Sequence, residues 1–183
     1  MTVYFIVEWP HTKIYYCHVP KGLNVVLELD ERDRRILQLV QKDASLAQAE
    51  IARKVGLSTA AVNERLKKLE ASGVIRRWTA LVDPRAVGAT VTAFVEVFLD
   101  HPRYEQGLLD RVVRLDEVLE CHHVTGEFAL LLKVRVKDME ALRQLLLHQL
   151  GALDGVSRTR TAVVLSTVKE ETYVAPVAEG GEP

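Results

Sequence analysis

Between residues 30 and 72 the chain carries three helical periodicities in succession, and the last two are separated by a glycine-containing turn; few folds accommodate that pattern. In DERDRRILQLVQKDA, periodicity begins at Asp30 and places Ile36, Leu37 and Val40 on one face, with Leu39 beside them. Asp30, Glu31 and Asp33 sit in the first turn, where the positive end of the helix dipole favours carboxylates. A second short helix, about Leu46 to Val55, turns Ile51, Ala52 and Val55 inward. Gly56 breaks it, and Leu57 is a short apolar plug. Ser58 is placed to cap a third helix by accepting a bond from an early backbone N–H. That helix runs to about Ser72, with Val62, Leu66 and Leu69 on one stripe and Gly73 in the left-handed position beyond its end. Together these elements predict a helix-turn-helix. VIRRWTALVD then alternates enough for a strand or short hairpin, a wing, which Asp83-Pro84 ends.

The second half alternates strand and helix. ATVTAFVEVFLD is expected as a strand with Val91, Ala93, Val95 and Val97 on one face. RYEQGLLDRVVRLD is amphipathic through Tyr104, Leu108, Val112 and Leu115. VLECHHVT and FALLLKVRV are strands around a turn at Gly126. Asp138 caps a helix carrying Met139, Leu142, Leu146 and Leu150, Gly151 ends it, and VSRTRTAVVL is the fourth strand. The order βαββαβ is the ferredoxin-like plan. The fold class expected is therefore α+β: a winged helix-turn-helix followed by a ferredoxin-like domain. The expected divisions are an extension over 1–28, the DNA-binding unit over 29–79, a linker over 80–88, the second domain over 89–170 and a tail over 171–183, disordered from about Val174.

Residues 1–28 hold five of the chain's eleven aromatics and read as two short strands around a turn. That is either a hairpin packing on a partner or an extension ahead of the real start, and no function attaches to it. No apolar run reaches the roughly 20 residues that span a bilayer. The opening residues lack a basic start and a small-residue cleavage site. Cys17 and Cys121 form neither a disulfide framework nor a metal-like cluster. A cytoplasmic protein with reduced thiols and no membrane partner is the expectation. Net charge is −1, but it is unevenly spread. Residues 30–79 hold eleven Lys and Arg against seven Asp and Glu, whereas residues 80–183 hold eleven against sixteen. A phosphate backbone responds to the local positive surface, whatever the total.

Opposite the buried stripe of the third helix lie Ala60, Asn63, Glu64, Lys67 and Lys68, with Ser58 and Thr59 at its start. A recognition helix needs small or hydrogen-bonding residues where it enters the major groove and cations further along to meet phosphates. Asn63 can pair with a base edge, and Ala60 or the Thr59 methyl can touch a thymine methyl. Ser58 and Thr59, with the helix N-terminal N–H groups, can hold a phosphate. Glu64 either accepts from cytosine or pairs with Lys67 or Lys68. Arg76 and Arg77 either reach the DNA backbone from the wing or simply flank its strand. Double-stranded DNA is the expected partner.

LDERDRRILQLVQKDA, EIARKVGLSTAAVNERLKKLEASGVIRRWTALVDPRAVG, VTGEFALLLKV and VSRTRTAVVL, in that order, resemble the Lrp/AsnC (feast/famine) regulators over about Leu29 to Glu170. The resemblance implies a winged helix-turn-helix joined to a RAM domain, RAM-mediated dimers often assembled further, and an amino-acid effector near the turn after the second RAM strand. Carried over, that turn is Thr125, Gly126, Glu127, Phe128 and Ala129. Many relatives carry an acidic residue where this chain has Ala129, so the usual partner of a ligand ammonium is missing. Residues 1–28 have no counterpart in the family pattern.

Glu120-Cys121-His122-His123 are all metal-ligand types, but adjacent strand residues face opposite ways, so at most two converge within one chain. No nucleophile elbow, phosphate-binding glycine loop or zinc-protease motif occurs, and no catalytic set, cofactor or metal is expected. The alternative from another class is a siroheme decarboxylase, an enzyme resembling the same family in architecture, with His122 and His123 as the residues to suspect. A basic recognition helix counts against it. A further alternative is an architectural DNA-binding protein that senses nothing.

Overall fold

The computed structural model describes Glu8–Trp9, Thr12–Lys13 and residues 29–176. β1 (Glu8–Trp9) and β2 (Thr12–Lys13) pair antiparallel, and the rest of the strands expected over residues 1–28 lies outside the described residues. The chain divides into two compact units, one containing residues 29–81 with 170–176 and the other residues 82–169.

The first unit is built on α1 (Glu31–Lys42), α2 (Gln48–Val55) and α3 (Thr59–Ala71). Asp30 caps α1 in a reciprocal box: its carboxylate accepts from the Asp33 N–H at 2.7 Å, and the Asp33 carboxylate accepts from the Asp30 N–H at 3.3 Å. The predicted inward residues form one core of Ile36, Leu37, Val40, Ile51, Ala52, Val62, Leu66 and Leu69, with Leu39, Val55, Leu57 and Ile75 packed against it. The bend between α2 and α3 depends on Gly56, whose φ of +67° lies in the left-handed region that a side chain disfavours. Ser58 caps α3 by accepting from the Ala61 N–H at 3.2 Å.

Two expectations for this unit need correction. The wing strand predicted from VIRRWTALVD does not form: residues 76–83 have no regular secondary structure. Alternation makes a segment compatible with a strand, but a strand exists only where a neighbour completes its hydrogen bonds. Nor is the tail from Val174 without partners. The Gln41 side chain donates to the Val174 carbonyl and accepts from the Val174 N–H, both at 2.9 Å. The Lys42 ammonium lies 5.9 Å from the centre of the Tyr173 ring. A primary amide offers one donor and one acceptor side by side, as a strand edge does, and so holds an extended backbone. Residues 177–183 lie outside the described residues.

The second unit is a four-stranded antiparallel sheet with helices on one face. Its strands are β3 (Val91–Leu99), β4 (Val118–His123), β5 (Leu130–Val136) and β6 (Val156–Val163), in the spatial order β4-β5-β3-β6. α4 (Glu105–Val112) follows β3, and α5 (Met139–Gln144) follows β5 and continues as a π-helical stretch over Leu145–Leu150. This is the ferredoxin-like βαββαβ arrangement. Ala93, Val95 and Val97 of β3 and Leu130, Leu132 and Val134 of β5 are fully buried beneath Leu108 and Val112 of α4 and Leu142, Leu145 and Leu150 of α5. Asp138 caps α5 as expected, accepting from the Ala141 N–H at 2.8 Å. Met139 was expected on the inward face and is instead 57% exposed. It begins the helix before the helix meets the sheet. Beyond it the π turn, closed by the Gly151 N–H on the Leu146 carbonyl at 2.8 Å, widens the repeat: Leu142 and Leu150 are buried as expected, Leu146 packs partly buried on the same core, and Leu145 is buried as well.

Candidate nucleic-acid interface

α3 carries the predicted contact residues on a surface that its own unit leaves open. Ser58 and Thr59 stand at its start with Ala60 beside them, all exposed. Glu64, Lys67 and Lys68 are exposed further along. Glu64 and Lys67 form an ion pair at 3.7 Å with both side chains more than half exposed. Such a pair holds its lysine weakly, so Lys67 is available to a phosphate. Asn63 is half-buried at the edge of this surface next to α2, where the Gln48 side chain donates to its Oδ1 at 3.4 Å. Arg76 and Arg77 are exposed in the segment after α3, outside any strand. The helix thus brings Ser58, Thr59, Ala60, Asn63, Glu64, Lys67 and Lys68 onto one element, whereas Arg76 and Arg77 are not drawn into it by any ladder.

Gln48 was missed in the sequence, since nothing in a spacing of fifteen residues announces the pair. Arg65 was also missed. Its guanidinium reaches Asp30 and Asp33, each at 2.7 Å, and ties α3 to the start of α1. The carboxylate of Asp30 is held below its ordinary range, chiefly by the Asp33 backbone N–H and then by Arg65.

In the second unit, Thr125 to Ala129 form the bend between β4 and β5. Gly126 has a φ of +141°, which favours glycine, and a Cβ built there would meet nothing within 4 Å. The Phe128 ring lies against Phe98 at 5.8 Å between centres, and the Arg158 guanidinium covers Phe98 at 4.0 Å. The Ala129 N–H donates to the Val97 carbonyl at 2.9 Å and stitches the end of the bend to β3. Glu127 is exposed. Arg158 is a cation beside this bend that the sequence did not single out.

The four potential ligands of β4 diverge. Glu120, bonded by Lys133 at 3.1 Å and His122 at 3.3 Å, lies on the open face of the sheet. Burial works against its ionisation, but these two bonds prevail and keep its carboxyl below the ordinary range. Cys121 pairs with buried Leu132 in the ladder and packs on the helical side, where burial raises its thiol pKa. His123 meets Glu105 of α4 at 2.7 Å. Among the described residues no three His, Cys, Asp or Glu side chains are grouped to hold a metal ion. No helix of the described residues is long and apolar enough to cross a membrane.

Comparison with known proteins bears on both units. Residues 29–76 match the family described as winged helix-turn-helix DNA-binding, and residues 92–174 match the Lrp/AsnC ligand binding domain. The leucine-responsive regulatory protein of Escherichia coli (strain K12) is 42% identical over 145 residues, 78% of this chain and 88% of its own. The HTH-type transcriptional regulator FL11 of Pyrococcus abyssi is 38% identical over 146 residues, 80% of this chain and 95% of its own. Among solved structures, a Neisseria meningitidis transcriptional regulator in complex with L-Met superposes with a TM-score of 0.76 at 32% identity, covering 80% of this chain and 96% of that one. Escherichia coli AsnC superposes with a TM-score of 0.75 at 28% identity, covering 80% and 98%.

Proposed function

The chain belongs to the Lrp/AsnC family of DNA-binding transcriptional regulators, and from that premise we propose that it grips duplex DNA as a symmetric homo-oligomer through α3, with a small metabolite acting at the bend after β4. The observation that carries this reading is the Ser58-capped α3, whose Thr59-to-Lys68 surface is open while its opposite stripe is fully packed. Two such helices related by a two-fold axis meet a roughly palindromic site, with half-sites spaced by about one helical turn or a multiple of it. Asn63 and Ala60 address bases. Ser58, Thr59, Lys67, Lys68, Arg76 and Arg77 address the backbone, and Glu64 tunes Lys67. A protein with this work acts where the DNA is, in the cytoplasm of a bacterium or archaeon.

Self-association is supported by the sheet of the second unit, which has helices on one side only. Its other side carries Phe94, 39% exposed, between Lys133 of β5 and Ala162 of β6. A sheet with one bare face is stabilised by covering it. An effector is supported by the Gly126 bend with Phe128 and Arg158 beside it, and by relatives solved with L-Met and L-methionine. Ala129 offers nothing to an ammonium group, so a ligand held mainly through its carboxylate fits best. The reading is of a binding protein and not a catalyst. The siroheme decarboxylase alternative finds no support among the relatives, and His122 and His123 face opposite sides of the sheet.

The test is capture of genomic fragments by the purified protein, followed by a gel-shift salt series on those recovered. A shared inverted repeat is expected, bound with an affinity that falls steeply as salt rises. Lys67→Ala or Lys68→Ala weakens binding to all sequences and lowers the salt slope by about one, whereas Asn63→Ala chiefly changes preference. If all three leave binding untouched, α3 is not the reading element.

A further inference from the structure

α2 and α3 meet through more than their shared core. Gln48 is the first residue of α2, and its Nε2 donates to Asn63 Oδ1 at 3.4 Å. Capping does not account for Gln48, because the cap position of α2 is Ala47 and no side chain bonds there. Nor does packing: Gln48 is exposed and outside the core of the unit. The bond joins Asn63, the one residue proposed to hydrogen-bond a base, to a neighbouring helix. We propose that Gln48 is a positioning residue, which fixes the side-chain amide of Asn63 and so determines which base edge that amide reads.

The reasoning rests on α3 being the recognition helix. An asparagine amide is nearly symmetric in shape, and a free one presents its carbonyl or its NH2 to a base with equal ease. The two choices recognise opposite patterns: the NH2 meets acceptors such as purine N7, guanine O6 or thymine O4, and the carbonyl meets the N–H of adenine N6 or cytosine N4. A bond from Gln48 takes one lone pair of Oδ1 and turns that atom toward α2. Both N–H groups of Nδ2 then face away from α2, toward whatever lies against α3. A rotor held this way also loses less freedom on binding. Asn63 therefore leads with its donor, and the base it favours presents an acceptor there. On this account an adenine or guanine at that position outranks a cytosine.

The experiment uses the full chain and four proteins: wild type, Gln48→Ala, Asn63→Ala and the double variant. Bound sequences are selected from randomised duplexes. Discrimination is then measured by anisotropy as the ratio of affinities for the selected site and for single-base changes, with thermal melts as the check on folding. Asn63→Ala is expected to lose the preference for an acceptor-bearing base at one position per half-site. Gln48→Ala is expected to lower discrimination at that same position about threefold, as the loss of one hydrogen bond between neutral side chains implies, and to add nothing when Asn63 is already alanine. Gln48→Glu, which can only accept, bonds the NH2 of Asn63 instead, turns the amide over and is expected to shift the preference toward a base that presents an N–H donor. If Asn63→Ala changes the preference but Gln48→Ala does not, or if the two effects simply add, the positioning role is overturned while the recognition helix stands. If Asn63→Ala leaves the preference unchanged, Asn63 reads no base and this inference fails, whereas α3 as the reading element falls only if Lys67→Ala and Lys68→Ala leave binding untouched as well.

Discussion

Arg65 reaches from α3 to the start of α1 and bonds two carboxylates with one nitrogen, Asp30 and Asp33 each at 2.7 Å. Asp33 is 8% exposed, so removing its cation leaves a nearly buried charge unpaired. Arg65→Met is expected to destabilise the first unit by about 2 kcal/mol, measured by urea unfolding at neutral pH. Acid should narrow that gap. The Asp30 carboxyl is held below its ordinary 3.8, first by the Asp33 N–H and then by Arg65. A depressed carboxyl contributes stability that is complete above its unfolded value and lost as pH falls through its folded one. The wild type therefore loses stability below pH 3.8, and the variant, with a smaller depression, loses less over the same range. A difference that stays constant to the lowest pH would refute the linkage. At Gly155 the constraint is space: an added Cβ would lie 2.1 Å from Tyr104 Cγ and 2.4 Å from its Cβ, and the latter cannot swing away. Gly155→Ala is expected to destabilise the second unit by about 3 kcal/mol, as overpacking beside fixed atoms does, read from the same unfolding experiment. Asp33 was legible as a first-turn acid, whereas Asp30, read as another, is the cap itself. Arg65 and the Gly155–Tyr104 approach were not, because both join residues whose proximity no local pattern encodes.

α3 has two duties that one cap serves. Ser58 satisfies the Ala61 N–H and stands at the end of the helix proposed to face DNA. Ser58→Ala is expected to lower stability by about 1 kcal/mol and to weaken DNA binding. Ser58→Asp separates the two duties: it keeps the cap and holds the melting temperature near wild type, yet sets a negative charge against phosphate and weakens binding by more than the alanine does. Equal binding by the two variants would mean that Ser58 does not face the backbone. The helices of this unit were readable because each buries a stripe at the 3.6-residue period. Where elements depend on something beyond their own period, sequence reading failed. The wing lacks a pairing strand, and the π turn that follows α5 buries Leu145 in addition to the expected Leu146, which packs partly buried on the same core.

At the scale of the whole molecule, the positive charge gathers in residues 30–79 and the negative charge beyond them. That division matches a unit that meets phosphate joined to one that assembles. The bare face of the sheet is the surface proposed to close an oligomer. Phe94→Asp, on the central strand of that face, is expected to weaken self-association roughly tenfold or more, as read by sedimentation over a concentration series. An unchanged distribution would move the interface elsewhere. DNA affinity for a palindromic site should fall with it, since two linked half-sites bind far better than one.

The sequence by itself determined what repeats along the chain: three helices with the turn and the Ser58 cap before the third, four strands, two cores and the cationic face of α3. These are local, because a stripe, a cap or a left-handed glycine is specified by residues a few positions apart. Only the tertiary structure decided the meetings across distance. Arg65 clasps the start of α1, Gln48 grips Asn63, Gln41 holds Val174, and the ligand types of β4 part to opposite faces. The physical reason is that a periodic pattern states which side of an element is buried, but not which residue of another element will lie against it.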